Sequence, residues 1–141
     1  MTPEQVELVQ TTFEKVKPIA PLAADMFYDR LFAIAPEVKP LFKGDMTEQG
    51  KKLMATIAVV VGSLHSLSAI LPAVSALAKK HVAYGVNPGH YASVGQALLW
   101  TLERGLGPAW TPPVAAAWSE AYGTLSSFMI GEAYGTPAAA E

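Results

Sequence analysis

Proline stands at or beside the start of nearly every apolar stripe in this chain: Thr2-Pro3, Pro18 with Pro21, Pro36, Pro72, Asn87-Pro88 and Thr111-Pro112. Proline lacks an amide N–H and has a fixed φ, so it suits the first helical turn and is rejected from helix interiors and central strands. A threonine or asparagine just before it supplies the oxygen that caps the first exposed amides. Between these signals the apolar residues recur at helical spacing, and no run of strand alternation appears. The punctuation predicts an all-α domain of six substantial helices plus short pieces, joined by short turns.

The boundaries follow from local chemistry. Thr2-Pro3-Glu4-Gln5 opens a helix in which Gln5 can bond back to the cap, and Val6, Val9, Phe13 and Val16 form its stripe. Pro18 and Pro21 bracket a second start, with Leu22, Met26 and Phe27 set against Asp25, Asp29 and Arg30 as far as Ile34. A short helix spans residues 36–42, a turn follows at Lys43-Gly44-Asp45-Met46, and Thr47 is expected to cap a helix from Glu48 to about Ser63. Pro72 opens the next, ending near Val82 with Tyr84-Gly85 as the break. Asn87-Pro88 starts a helix to Gly105, and Thr111-Pro112 starts the last. Residues 135–141 read as a frayed tail of a single domain covering residues 1–141.

Composition narrows the function. With 51% apolar and 16% charged residues the chain has the material for a packed core. A net charge of −2 without a long basic run gives no footprint for nucleic acid or a polybasic membrane contact. The absence of cysteine excludes disulfides and thiolate metal sites, leaving three histidines as the obvious nitrogen ligands. Residues 53–78 carry no formal charge and exceed the ~20 residues that cross a bilayer. Gly62, Ser63, His65, Ser66, Ser68, Pro72 and Ser75 interrupt them, so two buried helices are expected and no membrane span. The polar, acidic N-terminus does not resemble a signal peptide, which points to the cytoplasm.

One histidine stands apart. In Leu77-Ala78-Lys79-Lys80-His81, His81 lies four residues after Leu77 and shares its helix face, turned away from Lys79 and Lys80. An inward imidazole among apolar neighbours must be hydrogen-bonded to protein or bound to a metal. His65, in a serine-rich turn, and His90, near a helix start, are expected to face solvent.

Several pieces, in order along the chain, resemble the globin family from Val6 to about Met129. They are Phe27-Tyr28 with Leu31-Phe32; Pro36 with Pro40-Leu41-Phe42; Lys51-Lys52-Leu53-Met54; Lys80-His81; Tyr84-Gly85-Val86; Val94-Gly95 with Leu98-Leu99; and Ala117-Trp118 with Ala121-Tyr122-Gly123. The likeness is to bacterial single-domain globins, the globin part of flavohaemoglobins, and neuroglobin. It implies a globin fold of about six to eight helices enclosing haem b (iron protoporphyrin IX), with His81 as the proximal iron ligand. Its second ring nitrogen is then expected to be held by a nearby carbonyl or hydroxyl.

The resemblance further implies that Phe42 wedges against the porphyrin and that Leu53, Leu77, Val86, Val94 and Leu98 form apolar walls. Lys52 is either a partner for a haem propionate or a solvated lysine. Tyr28 and Gln49 fall at the two distal positions, with Leu53 one turn beyond Gln49. Animal oxygen carriers usually place histidine where Gln49 stands and an apolar residue where Tyr28 stands. A Tyr/Gln pair is similar to bacterial globins that hold oxygen tightly, since both donate hydrogen bonds to bound dioxygen.

The implied function is reversible binding of dioxygen, for storage or delivery, with CO and NO as further diatomic ligands. The rivals are nitric oxide dioxygenation served by a separate reductase and haem-based gas sensing. A haem-free signalling domain ranks last because it would be expected to lack His81. Flavohaemoglobins continue into a reductase, whereas this sequence stops at Glu141. They also pair a tyrosine with a glutamate near the proximal histidine. Tyr91 matches that tyrosine, but the glutamate's position is Ala133, and Glu132 is about 100° away on the helix.

Overall fold

The computed structural model describes residues 1–42, 44–83 and 85–134. Among them are six α-helices and no strand: α1 (Pro3–Val16), α2 (Ala20–Ile34), α3 (Met46–Gly62), α4 (Leu71–Ala83), α5 (Pro88–Leu106) and α6 (Pro112–Tyr134). Short 3₁₀ stretches at Lys17–Ile19, Pro36–Leu41, Leu64–Ala69 and Gly107–Ala109 connect them. The expected turn at Lys43, the break at Tyr84 and the tail at 135–141 lie outside the described residues.

The local signals act as their chemistry requires. Thr2 Oγ1 accepts from the Gln5 amide at 3.1 Å, and Gln5 Oε1 accepts from the Thr2 amide at 3.0 Å. This is a reciprocal capping box. Val9, Phe13 and Val16 of the α1 stripe are buried. Two expectations need correction. The α3 cap is Asp45, whose Oδ1 accepts from the Thr47 amide at 2.8 Å, so the helix starts at Met46 rather than Glu48. Leu22 is 56% exposed, because α2 turns Ala23, Ala24, Phe27, Tyr28 and Leu31 inward instead.

Small residues explain that rotation. A Cβ placed on Gly50 of α3 would stand 3.0 Å from the Ala24 Cβ of α2. The two backbones therefore cross at a point that only small side chains allow, and a large Leu22 has no place in it. Tyr28 lies one turn beyond Ala24, and Gln49 precedes Gly50, so the crossing sets both donors side by side.

α2 packs chiefly on α5, and α1 on α6. The largest core lies between α1, α3, α5 and α6 and contains Val9, Phe13, Val61, Leu102, Val114 and Trp118. There the Trp118 indole N–H donates to Thr12 Oγ1 at 2.9 Å, and that hydroxyl donates to the Leu8 carbonyl at 2.6 Å. A small apolar cavity of about 20 Å³ adjoins this core, with Phe13, Phe27, Leu53, Leu98 and Trp118 among its walls.

α4 is the outlying helix. It packs on α6 through Val74, Ala78 and Met129 and forms no comparable face with α3 or α5. No helix among the described residues is long and apolar enough to cross a membrane.

The Ala24–Gly50 crossing yields a direct test. Gly50→Leu forces the helices apart, and overpacking of this kind costs about 1–3 kcal/mol. Urea unfolding of Gly50→Leu is expected to show that loss, while Gly44→Ala, where an added Cβ meets nothing within 4 Å, is expected to leave stability within about 1 kcal/mol.

Candidate functional site

α4 makes no extensive contact with α3 or α5 among the described residues. Phe42, Leu53, Leu77, Val86, Val94 and Leu98 are all half-buried apolar side chains. Phe42, Leu53, Val94 and Leu98 belong to one apolar cluster and Leu77 and Val86 to another. Side chains of this kind are what a flat, largely apolar ligand would cover.

On the α2–α3 side the sequence concentrates aromatics. The Tyr28 and Phe42 ring centroids lie 5.3 Å apart at 70°, and Phe32 and Phe42 lie 5.4 Å apart at 65°. These edge-to-face contacts are favourable geometries for rings and hold Phe42 at the end of the 3₁₀ stretch Pro36–Leu41. Tyr28 is buried. Burial holds its phenol above the ordinary value, and the nearby Gln49 side chain works against that rise. The group therefore stays a neutral hydroxyl donor at neutral pH. Gln49 and Leu53 are half-buried on one face of α3, whereas Lys52 is exposed.

On the α4 side, His81 Nδ1 meets the Leu77 carbonyl at 2.8 Å, one turn back on the same helix. A carbonyl only accepts, so Nδ1 carries a proton and donates it. The expectation that the second ring nitrogen is held by a carbonyl of its own helix is met. The His81 ring is half-buried and lies 6.4 Å from the Tyr91 ring. After it the chain reverses. The Val86 amide donates to the His81 carbonyl at 3.0 Å, and Gly85 adopts φ +93°, where L side chains are strained. A Cβ there would lie 3.2 Å from Leu41 Cδ2, so this turn sits against the stretch that presents Phe42.

The other histidines have different work. His65 is exposed, with Nδ1 3.4 Å from the Gln10 amide nitrogen. His90 completes a capping box for α5: its amide donates to Asn87 Oδ1 and its Nδ1 accepts from the Asn87 amide, both at 3.2 Å. Asn87-Pro88 was legible as a start, but the acceptor role of His90 was missed. Its position three residues after the cap was the available signal. Sequence reasoning named Gly95 and Tyr122 among the resembling pieces but missed that they meet. A Cβ on Gly95 would fall 2.8 Å from Tyr122 Cε2, and the Tyr122 hydroxyl donates to the Tyr91 carbonyl at 2.7 Å. Ala133 packs in the cluster containing Tyr91, while Glu132 is exposed.

The globin family profile matches residues 25–129. A flavohemoprotein from Rhodopirellula baltica is 37% identical over 134 residues, covering 88% of this chain and 33% of that protein. A flavohemoprotein from Vibrio cholerae is 32% identical over 92% of this chain and 34% of its own length. A bacterial globin from Campylobacter jejuni superposes with a TM-score of 0.81 at 28% identity, over 93% of this chain and 95% of that one. The chain belongs to the globin family, and it spans about a third of the length of the curated relatives it matches. Membership carries haem-based binding of diatomic gases. His81, with Nδ1 held by the Leu77 carbonyl, is a residue type able to ligate the iron of such a group.

Burial raises the Tyr122 phenol strongly, and Tyr91 adds to the effect. A raised folded-state value contributes stability that is present below the ordinary phenol pKa of about 10 and lost as pH rises past it. Urea unfolding between about pH 9 and pH 11 is expected to show falling stability, and Tyr122→Phe is expected to flatten that decline. An unchanged slope in the variant would contradict the assignment.

Proposed function

We propose that this protein is a cytoplasmic oxygen-binding globin, which takes up and releases dioxygen at haem b held by His81. The observation that carries the reading is the hydrogen bond between His81 Nδ1 and the Leu77 carbonyl. When bound, haem b supplies an iron that takes dioxygen, CO or NO reversibly.

The chain's own residues have distinct tasks. His81 presents Nε2 as the single protein ligand, and the Leu77 carbonyl fixes the plane of the ring and raises its basicity. Phe42 bears on the macrocycle. Leu53, Leu77, Val86, Val94 and Leu98 enclose it and exclude water. Lys52, exposed at the rim, supplies a cation within reach of a propionate. Tyr28 and Gln49 would offer hydrogen-bond donors to a polar diatomic ligand held by that iron and would do little for an apolar one.

Nitric oxide dioxygenation is the second reading, and the flavohemoprotein relatives favour it. It requires an electron source to restore the ferrous state after each turnover.

His81→Ala is expected to abolish or greatly weaken haem uptake, with His65→Ala and His90→Ala still yielding a ferrous–CO spectrum. A normal spectrum from His81→Ala without added imidazole would refute the ligand assignment. Hydrogen bonds to a charged acceptor contribute about 1.5–3 kcal/mol, or roughly 10- to 150-fold in rate. Stopped-flow measurement is expected to show oxygen loss accelerated within that range by Tyr28→Phe and by Gln49→Leu, and CO loss nearly unchanged. For the second reading, an electrode trace of NO with excess NADH and catalytic amounts of the 141-residue chain is expected to show no sustained consumption. Steady consumption over many equivalents would favour the enzyme.

A further inference from the structure

Two arginines from different helices converge on one indole. Arg30 Cζ of α2 lies 5.1 Å from the centre of the Trp100 ring of α5. Arg104 Cζ, one turn beyond Trp100 on the same helix, lies 4.6 Å from that ring. The two guanidiniums are therefore at most about 10 Å apart, whichever sides of the ring they occupy. Like charges held this close repel, and the ordinary remedy is a carboxylate in contact. None is supplied. Asp29 and Glu103, the acids adjacent in sequence, are exposed, and neither pairs with Arg30 or Arg104 among the described residues. The half-buried Trp100 adds a third open donor, since its indole N–H bonds to no described residue and reaches solvent.

Stacking engages the flat face of a guanidinium and leaves its N–H edge free. That edge matches the paired oxygens of a phosphoryl group. A fork already laid on a ring also loses less freedom when it binds. Arg30 and Trp100 stand two residues after Tyr28 and Leu98, about 200° around their helices. The cluster thus lies apart from the residues assigned to the haem, and binding there does not depend on that group. We propose that Arg30, Trp100 and Arg104 form a binding site for a diphosphate group. Each guanidinium fork takes one phosphoryl group, and the indole N–H donates to an oxygen between them. A diphosphate meets two separate forks at once and brings enough negative charge to offset both cations despite the nearby Asp29 and Glu103. No covalent step is involved.

The test uses the purified protein, kept reduced under CO, at an ionic strength of about 0.01 M, where surface charges act over about 30 Å. Metal-free sodium pyrophosphate, orthophosphate and ADP are titrated by calorimetry and by NMR of the indole N–H signals. Pyrophosphate is expected to shift the Trp100 signal, identified by its loss in Trp100→Phe. The Trp118 signal, whose N–H donates to Thr12 at 2.9 Å, is expected to stay in place in the parent and in every variant. Orthophosphate is expected to bind about tenfold or more weakly, and Arg30→Gln and Arg104→Gln are each expected to weaken pyrophosphate by a similar factor. Arg30→Lys/Arg104→Lys keeps both charges but loses fork and stack, and is expected to bind no better than the glutamine variants. Glu103→Gln is expected to bind more tightly. Lys17→Gln removes a lone cation 5.7 Å from the Phe13 ring on α1 and is expected to bind as the parent does. ADP bound as tightly as pyrophosphate marks the diphosphate as the recognised group, and tighter binding of ADP places that diphosphate in a nucleotide. An unmoved Trp100 signal, equal affinity for orthophosphate, or full affinity in the lysine double variant would overturn the proposal.

Discussion

The attachment of α4 to α6 governs which apolar surfaces this fold leaves partly exposed. Val74 and Ala78 bind this helix to α6, where they meet Met129, and Tyr91 of α5 completes the cluster. Had α4 closed on α3 with the same apolar residues, the protein would have gained an ordinary helix interface. Instead Leu77, Val86, Leu53, Val94 and Leu98 keep apolar surface partly in contact with water. Each such residue forgoes part of the roughly 25 cal/mol per Å² that burial contributes. A ligand that covers these side chains recovers it, so binding and folding are coupled through the same surface.

Two close approaches refine that architecture. At the first, Gly50 and Ala24 let α2 and α3 cross near enough to bring Tyr28 and Gln49 into one neighbourhood. At the second, Gly95 admits the Tyr122 ring against α5, and the hydroxyl bond to the Tyr91 carbonyl ties α6 to the helix that carries Tyr91 beside His81. Each close approach is thus made by a glycine on one helix and a defined neighbour on the next.

What was legible in the sequence was local. Thr2 with Gln5 and the prolines opening α5 and α6 announce their helices, because a cap needs only residues a few positions apart. His81 was readable for the same reason, since its helical phase relative to Leu77 follows from spacing alone. The family's scattered motifs then supplied the fold. Leu22 was misplaced because its size suggests burial, whereas the Ala24–Gly50 contact that decides the rotation of α2 joins residues distant in sequence. Thr47 was read as the cap and Asp45 only as part of the turn, although both residue types can cap, and the geometry of the turn decides for Asp45. His90 was read by its commonest role, and its service as a hydrogen-bond acceptor in a helix cap went unseen. Which side chains meet across helices is a tertiary property, so the set of apolar site residues was available only through resemblance.

The cavity beside the core has a consequence of another kind. Its walls are apolar and include Leu53 and Leu98, which also belong to the candidate site. A void of about 20 Å³ is near the size that admits one water, but that water would find no polar partners, so the space stays dry. Dry volume is carried only by the folded chain and disappears on unfolding. Hydrostatic pressure therefore acts against this fold at that point, and its compressible spot is shared between the core and the candidate site.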